Sequence, residues 1–102
     1  MTKKLTRRSL RKRTFAMLAH YLNTSPDKFD LKDDLRDDWE IPDEEFGVLR
    51  QWINGPISDK VPGFFQDVKT DVILSDLYDP DLKTVKDLAE LIWEATPEAN
   101  RE

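Results

Sequence analysis

Apolar residues recur at helical spacing in three stretches of the chain and less regularly in a fourth. Leu10, Thr14, Met17, Leu18, Tyr21 and Leu22 fall three and four residues apart, predicting a helix over about Thr6 to Leu22 with one apolar stripe and a face of Arg and Lys. Asn23 suits its exit, and Ser25-Pro26-Asp27 supplies a turn or a short helical turn with Pro at its first position. Pro42-Asp43-Glu44-Glu45 reads as a second helix start, because carboxylates there sit beside exposed first-turn amides. Phe46, Leu49, Trp52 and Ile53 form its apolar face, and Asn54-Gly55-Pro56 stops it. Thr84-Val85-Lys86-Asp87 has the form of a capping box opening the last helix, with Val85, Leu88, Ala89, Ile92 and Trp93 on its buried face. That helix should end near Ala95, before Thr96-Pro97.

The connections read differently. Lys28 to Ile41 is predicted as an acidic loop anchored by Phe29, Leu31, Leu35 and Trp39, and 57–63 as a loop between proline breaks. Phe64, Phe65, Val68 and Val72 fit a third helical face, with an extended Val72-Ile73-Leu74 as the alternative, and Asp79-Pro80-Asp81 is turn chemistry. Together these elements predict an all-α protein: a small irregular four-helix bundle with a long loop between its second and last helices. At 102 residues one domain is expected. Residues 1–9 read as a basic N-terminal arm, 10–96 as a single helical domain and 97–102 as a flexible tail with nothing to bury.

Charge changes the picture more than composition does. Apolar content of 38% and three Trp suffice to seed a core, although 36% of the residues are charged. The net charge of −5 conceals a polarity: Lys3, Lys4, Arg7, Arg8, Arg11, Lys12 and Arg13 put seven cations in the first thirteen residues, with no acid among them. Such a cluster reads as a nucleic-acid or anionic-lipid arm, as an arm folded onto the acidic body, or as a solvated helix face. Nucleic acid is the minor reading, because no recognised binding motif follows and the acidic body repels the same polyanion.

Asp27 to Glu45 holds ten carboxylates against Lys28, Lys32 and Arg36, which makes a local negative field suited to recognition of a basic protein surface. Asp33, Asp34, Asp37, Asp38, Glu40, Asp43, Glu44 and Glu45 are the candidate partner-binding residues; the plainer account is that they cap the second helix and keep a small domain soluble. Trp39 reads as a plug pinning this loop to the core.

No residue pattern points to catalysis, a cofactor or a metal. Cys is absent and His20 is the one histidine, so no thiol chemistry and no second triad histidine exist. The acidic clusters lack the alternating ligands, turn glycine and distal Glu of an EF-hand loop, and Gly47, Gly55 and Gly63 build no phosphate loop. No apolar run reaches the length needed to span a bilayer, and the basic start lacks the apolar core of a secretory signal; a cytoplasmic, non-enzymatic protein is the expectation.

Ala19 to Asp27, then Asp34-Leu35-Arg36-Asp37-Asp38-Trp39, then Lys83-Thr84-Val85-Lys86-Asp87-Leu88 resembles the acyl carrier protein family over about half the chain. In that family a first helix and polar loop lead to an Asp-Leu-Gly-x-Asp-Ser-Leu motif, and a late helix opens with Thr-Val-x-Asp-Leu. The resemblance implies a four-helix carrier-like bundle whose partners dock basic patches on the acidic second helix and the loop before it. Trp39 stands where the phosphopantetheine serine is expected, so the prosthetic group is not carried over. The expected function is therefore a degenerate carrier-like module acting by protein contact. The alternative is a small acidic interaction or inhibitor protein, such as a toxin-neutralising partner, unrelated to carriers.

Overall fold

In the computed structural model, which describes residues 4–102, the first helix, α1, spans Arg7–Tyr21. Thr6 caps it: the Ser9 N–H donates to Thr6 Oγ1 at 3.0 Å and the Thr6 N–H to Ser9 Oγ at 2.9 Å, a reciprocal capping box. Leu10, Thr14, Met17, Leu18 and Ala19 are its buried residues, and the Thr14 hydroxyl donates to the Leu10 carbonyl at 2.7 Å, so it is buried without being unsatisfied. Asn23, at φ 56°, turns the chain out of the helix into a 3₁₀ turn at Pro26–Lys28.

The second helix begins as a 3₁₀ turn, Asp43–Glu45, and continues as α2, Phe46–Asn54. It buries Phe46, Leu49 and Ile53 and ends at Gly55, whose φ of 75° an L side chain rarely adopts. Gly55 also meets Gly63 backbone to backbone, so a Cβ on either would collide with the other. The loop between them is thereby closed at its neck.

A third helix over Phe64 to Val72 does not form. The chain makes only a 3₁₀ turn at Gln66–Val68 and leaves it through Lys69 in the left-handed region. Val72 is then held outside any helix by α2: its N–H donates to Asn54 Oδ1 at 2.8 Å, and its carbonyl accepts from Asn54 Nδ2 and Arg50 Nε, both at 3.0 Å. Side chains thus supply the bonds that a helix would have supplied. One short turn of helix, α3, follows at Leu74–Leu77, and α4 runs Val85–Glu94.

Among the described residues no strand forms, and the four α-helices make an all-α fold. The radius of gyration, 12.7 Å, agrees with the ~13 Å of a single folded unit of this length. One cluster of buried side chains, among them Met17, Leu35, Phe46, Phe65, Leu77 and Ile92, joins all four α-helices and the segments between them.

The ends differ from the expected loose arm and tail. α1 begins inside 1–9, as the helix expected from about Thr6 does, but Leu5 just before it is fully buried. Its N–H donates to the Asn100 carbonyl at 2.7 Å, and its carbonyl accepts from the Glu102 N–H at 2.9 Å. The 97–102 segment, expected to have nothing to bury, instead pairs through its backbone with residue 5.

Candidate docking surface

The acidic loop is built by its own carboxylates. Asp34 Oδ1 accepts the N–H groups of Arg36 and Asp37, both at 2.8 Å, Asp38 Oδ2 accepts the Asp34 N–H at 2.7 Å, and Asp33 Oδ2 accepts the Asp30 N–H at 2.9 Å. Aspartate suits these positions because its short side chain reaches the backbone two to four residues away. The folded loop lies across the start of α4, where the N–H groups of Val85 and Lys86 donate to the carbonyls of Asp33 and Leu31 at 2.9 and 3.0 Å. Two amides that the helix leaves open are satisfied there. The Leu35 N–H donates to the Lys83 carbonyl at 2.8 Å, so two of the three segments on which the carrier resemblance rests are directly paired.

Trp39 completes this packing. Its ring stacks on Phe29 at 4.1 Å between centroids, Phe29 stacks on Phe15 at 6.1 Å, and the indole N–H donates to Asp33 Oδ2 at 2.9 Å. It is a half-buried plug in a turn, and the first α-helical residue downstream is Phe46 rather than its neighbour. No serine stands at the start of α2, where Ile41-Pro42-Asp43-Glu44-Glu45 enter the helix.

The eight candidate acids therefore divide. Asp33, Asp34 and Asp38 are turn acceptors. Asp43 takes Arg36 Nε at 2.6 Å, while the same guanidinium donates to the Leu82 carbonyl and lies over the Phe46 ring. Glu45 accepts the Tyr21 hydroxyl at 2.5 Å. Burial, then this hydrogen bond and the carboxylate's charge, push the Tyr21 pKa well above its ordinary value. Asp37, Glu40 and Glu44 are exposed and project from the loop without such a role.

An apolar element missing from the sequence reading lies beside these acids. α3 packs on α2, with Leu74 against Gly47 and Tyr78 edge-on to Phe46 at 6.3 Å, yet Ile73, Tyr78 and Leu74 stay 59%, 45% and 38% exposed. Tyr78 lines an open cleft of about 580 Å³ with Asp34, Arg36, Asp37, Asp43, Pro80 and Lys83. On the far side of the 76–82 turn a second cleft, about 380 Å³, is lined by Asp76, Asp79, Asp81, Asp87 and Glu90. Exposed Ile-Leu-x-x-x-Tyr in a segment read as a loop was the available signal, and it has no helical period by which to stand out.

The cations divide as the acids do. Arg13 forms a bidentate pair with Asp67 at 2.8 and 3.0 Å, and this guanidinium holds the Asp67 carboxyl below its ordinary pKa. Arg7 pairs with Glu90 at 2.7 Å and lies 4.2 Å over the Trp93 ring. Lys4, Arg8, Arg11 and Lys12 are exposed; Lys3 lies outside the described residues.

His20 is exposed and edge-on to Trp52 and Phe64, at 5.6 and 6.1 Å, an aromatic setting rather than a polar one. Among the described residues no group of three or more His, Cys, Asp or Glu side chains is arranged to hold a metal ion, and no helix is long and apolar enough to cross a membrane. Comparison of the chain with protein-family models, with curated proteins and with solved structures finds no match in any of the three.

Proposed function

We propose that this chain is a non-enzymatic, acyl-carrier-like helical module that binds a protein partner with a basic surface and carries no prosthetic group. The observation that carries this reading is the juxtaposition of exposed Tyr78 with carboxylates in one open cleft, continued by exposed Ile73 and Leu74. Three carboxylates outnumber the two cations of the cleft, and Arg36 is already taken by Asp43, so the apolar side chains and the remaining acids suit a partner that offers both an apolar anchor and Lys or Arg. Support for the carrier-like part is narrower: the order of a long first helix, α2, a very short α3 and α4, with the Thr84 capping box opening the last.

The test uses only acids without an internal role. The triple variant Asp37→Lys, Glu40→Lys, Glu44→Lys should abolish affinity capture of the partner from native extract while its far-UV circular dichroism stays that of the parent. Undiminished capture sinks the reading. Incubation with a phosphopantetheinyl transferase and coenzyme A should leave the intact mass unchanged, and a gain of the prosthetic mass overturns the degenerate-carrier part alone.

A further inference from the structure

Whereas Arg7 and Arg13 are committed to Glu90 and Asp67, Arg8, Arg11 and Lys12 are exposed and have no carboxylate within ion-pair distance among the described residues. Their spacing, i, i+3 and i+4 on α1, puts them on one stripe. Half-buried Phe15 continues it at i+7, with Arg11 5.6 Å over its ring.

This stripe works against the helix that bears it. The first turn of α1 contains no acid, and cations there oppose the partial positive charge of the helix N-terminus. Arg8 and Lys12 are also a like-charged i, i+4 pair, as are Arg7 and Arg11. Stability alone would favour acids at such exposed positions.

We propose that Arg8, Arg11 and Lys12 form a docking surface for an acidic helical segment of another protein, with carboxylates at the matching three- and four-residue spacing. The surface lies on α1 and has the opposite charge to the α2–α3 face, so it stands whether or not that face docks a partner. Arg13 and Asp67 show in this same helix the charge-assisted pairing that such a segment would make. The stripe is short and the helix that carries it is edged by Glu90 and Asp67, so a finite acidic segment fits while a long polyanion runs on into like charge on a body of net −5. A bilayer is disfavoured because the apolar side of α1 is buried in the core and has nothing to insert.

Fluorescence anisotropy at low salt tests this with a labelled alanine-based helical peptide bearing Glu at i, i+3, i+4 and i+7, beside an oligothymidylate and phosphatidylserine vesicles. The peptide should bind, and Arg8→Glu/Lys12→Glu should weaken it about tenfold or more, whereas Lys60→Glu/Lys86→Glu, an equal charge change at exposed positions elsewhere, should weaken it far less. The Arg8→Glu/Lys12→Glu protein should melt no lower than the parent, since it relieves repulsion and places an acid in the first turn. Absence of peptide binding, equal weakening by the control pair, a lowered melting temperature, or tighter binding of the oligothymidylate or vesicles lost in the same variant would each overturn the proposal.

Discussion

Trp39 joins two kinds of interaction that substitution can separate, a ring stack on Phe29 and an indole N–H bond to Asp33. Trp39→Ala should cost about 3 kcal/mol in urea unfolding, at the lower end for an aromatic truncation because the ring is only half-buried. Trp39→Phe retains the stack and leaves Asp33 Oδ2 with the Asp30 N–H but without the indole donor, for a loss of about 1 kcal/mol. Equal losses in the two variants would mean that the ring contributes little. A steric counterpart is Gly63→Ala, whose Cβ would fall 2.6 Å from the Gly55 Cα; a loss of about 1–3 kcal/mol is expected, and an unchanged unfolding midpoint would disprove the close approach. Trp39 was readable as a plug from the apolar Leu35 and Ile41 around it. Its acceptor was not, because Asp33, Asp34, Asp37 and Asp38 look alike in sequence and only the turn decides which one faces the indole. The Gly55–Gly63 contact was equally silent, since two glycines eight positions apart carry no sign that their backbones meet.

At the scale of elements, the boundaries that local chemistry sets were the legible ones. Thr84 and Asp87 form the expected box, with the Asp87 N–H donating to Thr84 Oγ1 and the N–H groups of Thr84 and Lys83 donating to Asp87 Oδ2 at 3.0 and 3.1 Å. The Gly55 stop is of the same kind. The absent third helix was illegible for the opposite reason: Asn54 and Arg50, distant in sequence, bind the Val72 backbone and outcompete the helical preference of Phe64 to Val72. The last helix also carries a pH prediction. Burial of Asp87 opposes its charge, but the two backbone donors, with the Thr84 side-chain bond and Lys86 adding to them, outweigh this and lower its pKa on folding. Its charge therefore contributes stability that is fully present above the ordinary carboxylate pKa of about 3.9 and is lost as pH falls through the lower folded value. Asp87→Asn should cost about 1 kcal/mol at neutral pH, and the gap to the parent should close on acidification from about pH 5 downward. A gap of constant size across that range would show that the carboxylate's charge plays no part.

For the molecule as a whole, the least legible feature is how its two ends are fastened to α4. Residues 97–102 are polar apart from Pro97 and Ala99, so a count of apolar side chains gives them nothing to bury. Their attachment is made by backbone and by cation on ring: Leu5 bonds to Asn100 and Glu102, Arg101 donates to the Trp93 carbonyl at 2.9 Å, and the guanidinium groups of Arg101 and Arg7 lie 5.6 and 4.2 Å from the same Trp93 ring. Backbone pairing of this kind leaves no trace in hydropathy. It also joins the basic start of the chain to the helix whose first turn the acidic loop caps, so both charged segments are anchored on α4. Deleting residues 98–102 should uncover Leu5 and one side of Trp93 and remove two backbone hydrogen bonds to Leu5, the side-chain bonds of Asn100 to the Val68 carbonyl and of Arg101 to the Trp93 carbonyl, and one cation–ring contact, together about 3–5 kcal/mol. For a domain of this size each kcal/mol shifts Tm by about 4–8 °C, so a fall of about 10 °C or more is expected. The far-UV circular dichroism should change little below the transition, because the deletion removes only the 3₁₀ turn Glu98–Asn100 from the helical elements. Arg101→Ala, which keeps the backbone pairing, should lower Tm by less than half as much, and a full-sized loss from that substitution alone would assign the fastening to the guanidinium instead.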